Sequence, residues 1–443
     1  MNFLKLKLSL LVCFFLGAMP SYGQQSKAIE LTQRVLHYLS TQQFDSICTL
    51  HDSEMKRQLD ADNYEVMWSN FIDNYDTLQT IDETKVTNIG DTSWLTETKI
   101  SFVKKSFLFK LTINKSNQVA GIFFANTKVN YAPPAYINTL NFYEVKLPVP
   151  TKGIVSEGML SIPRGAGPFP LVIILGGSGP TDKDASMGPN KPYKDLAWAI
   201  AAKGIAVYRF DKRTANAGNV KGAKHFTMHQ EYVLDLQNII NKLAKDARIN
   251  KKQIYIMGHS QGGYMLPYFA KTCKGIKGFI GLAANYQTIV EIIPAQLNYL
   301  GALQKDSASQ VAIKNLVARA NYTQANLYDK TVVKDSLFPG ITIDFARHMD
   351  INKPANIAQV LMKKPVLFIQ GKRDYQVPPT ELESWKTKLN GACCIKYVLF
   401  DKLNHLMVEG EGASTPTEYN LPNHVPEYVA DEVVNWILET NKK

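Results

Sequence analysis

The stretch Gln253-Ile254-Tyr255-Ile256-Met257-Gly258-His259-Ser260-Gln261-Gly262-Gly263 decides the fold. Its first five residues form an apolar, strand-like run, and a helix-compatible run from Gly263 to Thr272 follows it. Gly-x-Ser-x-Gly between a strand and a helix is the signature of a nucleophile elbow. The turn is so sharp that its neighbours must be very small, which is the work of Gly258 and Gly262. The same geometry lifts a serine hydroxyl over the end of a sheet, where a substrate carbonyl can reach it.

A serine hydroxyl needs a base, and the base needs an orienting acid. Around an elbow of this kind the partners follow in the order Ser, Asp or Glu, His. Pro365-Val366-Leu367-Phe368-Ile369-Gln370-Gly371 reads as a buried parallel strand, and Lys372-Arg373-Asp374 places a carboxylate just past its end. The next apolar run, Ile395 to Phe400, leads through Asp401-Lys402-Leu403-Asn404 to His405. Order and strand-end placement agree on Ser260, Asp374 and His405. His37 and His51 lie far to the N-terminal side, His225 and His229 precede the nucleophile, and His348 precedes the acid. His424 also follows Asp374 but stands beside the expected final helix, which ranks it below His405.

The chemistry also needs backbone N–H donors for a tetrahedral oxyanion. One is expected at Gln261, the residue after the nucleophile. The strand Pro170–Leu175 runs into Gly176-Gly177-Ser178-Gly179-Pro180, whose small residues permit close approach of the backbone. The second donor is assigned to Ser178, with Gly177 as the alternative. A phosphate-binding loop is disfavoured, because no Gly-Lys-Ser/Thr follows and Pro180 has no amide hydrogen.

Five segments now stand in order: Gly177 to Asp184, Tyr208-Arg209-Phe210-Asp211-Lys212-Arg213, Gly258 to Gly263, Gln370 to Val377, and Leu403-Asn404-His405-Leu406-Met407. Together they resemble the dienelactone-hydrolase-like branch of the α/β-hydrolases, in particular secreted bacterial carboxylesterases. Some of these carry a small α+β domain of unknown function in front. The resemblance spans roughly residues 26 to 440 and implies that Ser260, Asp374 and His405 are nucleophile, acid and base. Gly176 departs from the pattern, since relatives often have His there.

Length and composition bound the rest. At 443 residues two domains are expected. A hydrophobic content of 45% with 20% charged residues describes a globular chain. Lys5 and Lys7, the apolar run Leu8–Ala18 and Pro20-Ser21-Tyr22-Gly23 have the order of a signal peptide, with cleavage expected near Gly23. Residues 1–23 are therefore read as a leader, and the mature protein as exported, periplasmic or extracellular. The leader's apolar run is short for a membrane span, and no integral span is expected after it. Cys48, Cys273, Cys393 and Cys394 then remain, too few for a disulfide scaffold and in no zinc spacing. Cys393 and Cys394 read as small apolar residues at the start of a strand.

The formal charge of +11 is dispersed, and no nucleic-acid-binding signature accompanies it. Asp182 and Asp184 read as loop caps or partners of arginine rather than cation ligands. Arg209, Asp211 and Arg213 read as structural pairs. No cofactor and no metal are expected.

Residues 24–130 read as a small α+β domain. Leu31, Val35, Tyr38 and Leu39, then Tyr64, Met67, Trp68 and Phe71, recur at helical spacing before strands at Thr84–Ile89, Ser93–Phe102, Ser106–Ile113 and Val119–Phe124. A linker is expected over Asn126–Pro134, and a structural, dimerising or substrate-presenting role is favoured for the module. Residues 131–443 read as an α/β-hydrolase domain with a mostly parallel sheet and a helical lid at about 287–359. The function these readings imply is a cofactor-independent serine carboxylesterase acting on short-acyl or glycan-linked esters. A serine peptidase or amidase of the same fold, and a non-catalytic binding protein, are the alternatives. Nothing in the sequence fixes an oligomeric state.

Overall fold

The computed structural model describes residues 20–442 apart from 90–92, 128–130, 152–153, 217–225, 305–306, 332–337 and 339–340. Most of the expected leader, part of the expected linker and His225 lie outside the described residues. The chain divides into two compact units, Met1–Val129 and Asn130–Lys443.

In the first unit, helices α1 (Pro20–Ser40), α2 (Phe44–Thr49), α3 (Met55–Gln58) and α4 (Ala61–Tyr75) precede four strands. The strands are β1 (Leu78–Asn88), β2 (Ser93–Phe102), β3 (Ser106–Asn114) and β4 (Val119–Asn126), paired antiparallel in chain order. Leu31, Val35 and Leu39 of α1 and Tyr64 and Trp68 of α4 bury their apolar stripes with Ile100, Phe107, Phe109 and Leu111 of the sheet. Asp60 caps α4 in a reciprocal box with Asn63. His51 is buried, with Nε2 2.8 Å from the Tyr64 hydroxyl.

The second unit opens with β5 (Phe142–Lys146), β6 (Val149–Thr151), β7 (Ile154–Ser156) and β8 (Gly158–Pro163). Between β5 and β6, Pro148 has no amide hydrogen for a ladder, and the chain breaks there. Alternation then sets in with β9 (Phe169–Leu175), α5 (Pro192–Ala202), β10 (Ala206–Phe210), α6 (Leu234–Leu243) and β11 (Ile249–His259). After the elbow come α7 (Gln261–Tyr264), α8 (Leu266–Thr272) and β12 (Gly278–Leu282). The expected single helix after Ser260 is two, because Pro267 begins α8. Before α6, a π-turn at His229–Val233 buries three consecutive residues, Glu231, Tyr232 and Val233.

Between β12 and β13 (Val366–Gly371) lie helices α9 (Ile289–Leu303), α10 (Ser307–Ala325), α11 (Ile343–Ile351) and α12 (Pro354–Ile357). They occupy the span read as an insertion. The chain ends with α13 (Pro379–Lys388), β14 (Ile395–Phe400) and α14 (Glu427–Lys442). Cys393 and Cys394 correct the reading above: both are exposed in the turn before β14 instead of packing at its start.

The eight-stranded sheet has the order β14-β13-β12-β11-β9-β10-β8-β5. It is parallel from β14 to β10, with β8 and β5 antiparallel at one edge. Alternate residues feed two cores. Leu171, Ile173, Ile254, Ile256, Phe279 and Phe368 pack against α6, α8 and α13. Val172, Ile174, Tyr255, Met257, Ile280 and Leu367 pack against α5 and α14. Burial on both faces explains why these strands read as unbroken apolar runs.

Charges are buried at the antiparallel edge only in pairs. Arg209 is 2% exposed, with Nε 2.8 Å from Asp184 and Nη1 2.6 Å from Glu144. Arg213 makes a two-pronged contact with Asp235 at 2.8 and 2.9 Å. Replacing Arg209 by Met strands two carboxylates, so unfolding in urea should show a loss of about 3–5 kcal/mol in the second unit. A loss below about 1 kcal/mol would mean that the pair contributes little beyond its packing.

Candidate active site

Ser260 stands between β11 and α7 with φ 53° and ψ −121°, a backbone conformation rare for any residue with a side chain. Its surroundings enforce it. A Cβ on Gly258 would lie 2.2 Å from the Gly262 carbonyl oxygen, and one on Gly262 would lie 2.6 Å from that of Leu175. The end of β9 therefore packs directly on the turn. The Ser260 amide donates to the Leu282 carbonyl at 2.9 Å, which ties the turn to β12.

Asp374 follows β13 and is fully buried as a side chain. One oxygen accepts from the amides of Gln376 and Val377, both at 2.9 Å. The other accepts from Gln370 Nε2 at 3.2 Å and faces His405 Nδ1 at 2.8 Å. A carboxylate only accepts, so Nδ1 carries the hydrogen and Nε2 is left as the free acceptor. His405 sits on the loop after β14, which Asn404 braces by accepting from the Leu406 amide at 3.0 Å and donating to Glu418 at 2.9 Å.

Ser260, His405, Gly177 and Ser178 line one cavity of about 180 Å³, with Tyr193, His259 and Gln376 among its other walls. The Ser260 hydroxyl makes no hydrogen bond to His405 among the described residues. Gln261 is buried and faces a second cavity of about 260 Å³, which it shares with Ser178, Pro180, Phe226, Ile289, Ile341 and Phe345. Gly177 lies against Ser260: a Cβ there would be 3.1 Å from that of the serine. The Gly177 amide faces the Tyr193 hydroxyl and opposes the rise in its pKa that burial causes. The amides of Ser178 and Gln261 donate to no acceptor among the described residues. Of the two glycine-loop amides considered for an oxyanion, that of Gly177 faces the Tyr193 hydroxyl and that of Ser178 faces no acceptor among the described residues.

Tyr193 and His259 carry no motif signal of their own, His259 holding a variable position of the elbow. The structure joins them. His259 Nε2 lies 2.7 Å from the His405 carbonyl, which only accepts, so Nε2 bears the hydrogen. Nδ1 is then the acceptor for the Tyr193 hydroxyl at 3.0 Å. A chain of donors thus runs from Tyr193 through His259 to the backbone of the His405 loop. Burial, followed by the nearby His405, pulls the His259 pKa from 6.5 down to about 3.

Among the other candidates, His424 faces Asp195 at 3.2 Å on the buried side of α5. Asp184 pairs with Arg209 and Lys191, and Asp182 accepts from the amides of Asp184 and Ser186. Asp211 pairs with Lys183 at 3.1 Å. Among the described residues no group of three or more His, Cys, Asp and Glu could hold a metal ion.

A family model described as serine aminopeptidase, S33, matches residues 190–411, about half of the chain. The chain belongs to this family of α/β-hydrolases. Esterase EstD of Thermotoga maritima is 30% identical over 435 residues, 98% of this chain and all of that protein. The family and this relative make the chain a serine hydrolase of the α/β-hydrolase type. Residues 32–122 match a domain described as a protein of unknown function (DUF3887). Among solved structures, Est1E of Butyrivibrio proteoclasticus is 18% identical, covering 67% of this chain and 99% of its own, with a TM-score of 0.44. The Pyrococcus furiosus esterase Pf2001 is 15% identical, covering 70% of this chain and 99% of its own, with a TM-score of 0.42. Likenesses this distant carry no weight for function.

The His259 assignment sets a pH dependence. The unfolded chain takes a proton near pH 6.5 while folded His259 resists it until about pH 3, so its contribution is complete above 6.5 and lost as pH falls. Between these limits the wild type should lose about 1.4 kcal/mol per pH unit more than His259→Gln. Urea titrations at several values from pH 6.5 to 4 measure it. Equal slopes for the two proteins would contradict a neutral, buried His259.

Proposed function

We propose that the protein is a serine carboxylesterase working through an acyl-enzyme, with Ser260 as nucleophile, His405 as base and Asp374 as the orienting acid. The observation that carries this reading is the meeting of an unhindered Ser260, an Asp374-held His405 and the unengaged Ser178 amide around one cavity. His405 Nε2 takes the Ser260 proton as Oγ attacks the ester carbonyl. Asp374 holds the imidazole in the required tautomer and stabilises its cation. The amides of Ser178 and Gln261 receive the oxyanion. His405 then protonates the departing alcohol, and the same steps in reverse order of roles let water release the acid.

The two cavities that meet at Ser178 are small, and this supports short acyl or compact aromatic acyl groups rather than long chains. Ile289, Ile341 and Phe345 of the insertion line the second cavity, which supports its role as a lid that shapes the substrate pocket. Export to the periplasm or the exterior rests on the leader pattern in residues 1–23.

Initial rates on p-nitrophenyl esters from acetate to decanoate test the reading. Activity should fall with chain length, and Ser260→Ala should lower kcat by about 10⁶. Asp374→Asn should lower it by about 10⁴, because the imidazole loses its tautomer control. The same proteins assayed on aminoacyl p-nitroanilides separate esterase from the aminopeptidase activity in the family's description. Turnover of the anilides at the higher kcat/KM would replace the esterase reading, and equal rates for wild type and Ser260→Ala on both classes would remove serine catalysis.

A further inference from the structure

The Gly177 carbonyl points away from the cavity into a buried charged network. Lys212 Nζ donates to it at 2.6 Å, and the Tyr232 hydroxyl lies 2.9 Å from it. Lys212 and Glu231 form an ion pair at 3.0 Å with side chains 3% and 4% exposed. A lysine ammonium has three hydrogens, and here they meet three acceptors: Gly177 O, Glu231 Oε1 and, at 3.3 Å, the Tyr232 hydroxyl. Gln261 joins the same network through its side chain, with Nε2 3.3 Å from both Glu231 and Tyr232.

The Gly177 carbonyl and the Ser178 amide belong to one planar trans peptide and so point in opposite directions. Whatever anchors the carbonyl aims the amide. We propose that Lys212 is the positioning residue of the oxyanion hole, holding the Gly177–Ser178 peptide from behind while Glu231 and Tyr232 secure Lys212 and Gln261 together. Two effects follow from the geometry. The peptide cannot flip its amide away from the developing oxyanion without leaving a buried ammonium unsatisfied. A cation on the carbonyl also polarises the peptide and strengthens its N–H as a donor. Burial alone would push the Lys212 pKa down, and the Glu231 carboxylate opposes that shift. A lysine at this depth is costly unless its charge is used or paired, and this one is paired on the side away from substrate.

The inference rests on Ser260 being the nucleophile, and the test keeps the two apart. Butylboronic acid is the probe: its boron accepts the serine oxygen, His405 takes the serine proton, and a boron hydroxyl occupies the oxyanion position. Dissociation constants of the boronate, measured by calorimetry for wild type, Ser260→Ala, Lys212→Met and Tyr232→Phe, are compared with kcat/KM on p-nitrophenyl acetate for the active proteins. Lys212→Met should lower kcat/KM by about tenfold to a hundredfold and weaken boronate binding by the same factor, with KM within about twofold. Tyr232→Phe should show the same parallel loss at smaller size, and it decides the matter if Lys212→Met does not fold. Wild-type values in the variants, or a fall in kcat/KM with unchanged boronate affinity, would overturn the role of Lys212. Wild type that binds boronate no better than Ser260→Ala would instead overturn the nucleophile on which the inference rests.

Discussion

The close packing of β9 against the turn at Ser260 is the constraint on which the rest of the site depends. Gly262 touches the Leu175 carbonyl, so the end of β9 and the elbow at the end of β11 form one unit. The residues that follow β9, Gly176 to Ser178, are carried with it to the side of Ser260. A serine at φ 53° is costly in isolation, and it persists because the surrounding backbone leaves it no other conformation. Ser260 and the glycine loop beside it are thus placed by the packing of two adjacent strands, before any side-chain interaction is counted.

Side chains then lock what the backbone places. Asp374 is saturated with donors, so His405 has one orientation available. His259 and Tyr193 connect the His405 loop to the start of α5, and Lys212 and Tyr232 hold the Gly177 carbonyl. The glycine loop is therefore fastened at that carbonyl, leaving the Ser178 amide without a partner. Flexible small residues and a rigid hole are compatible because the rigidity comes from the partners.

The sequence carried the sheet and the elbow clearly, for a physical reason. Strands buried on both faces must be continuously apolar, and Leu171 to Leu175, Ile254 to Met257 and Val366 to Ile369 announce themselves that way. What was not legible depends on contacts between distant segments. Tyr193 and His259 are 66 positions apart, and Lys212 meets Gly177 across 35. Lys212 and His259 stand within segments that carry the family resemblance, yet nothing in those segments says which distant groups their side chains meet, and a tyrosine at the start of a helix has an ordinary reason to be there. The burial of Glu231, Tyr232 and Val233 together needed a π-turn, which a helical period cannot reveal. The breaks at Pro148 and Pro267 were open to reading, since proline lacks the hydrogen that a continuous element needs.

Covalent trapping tests the central claim most directly. The protein would be treated with a fluorophosphonate, digested with trypsin and analysed by mass spectrometry. The peptide Gln253–Lys271 contains Ser260 as its only serine. The account predicts one phosphonyl group per chain on that peptide, on Ser260, with hydrolytic activity lost in proportion to labelling. Stoichiometric labelling elsewhere, or labelling of Ser260 that leaves activity intact, would contradict it.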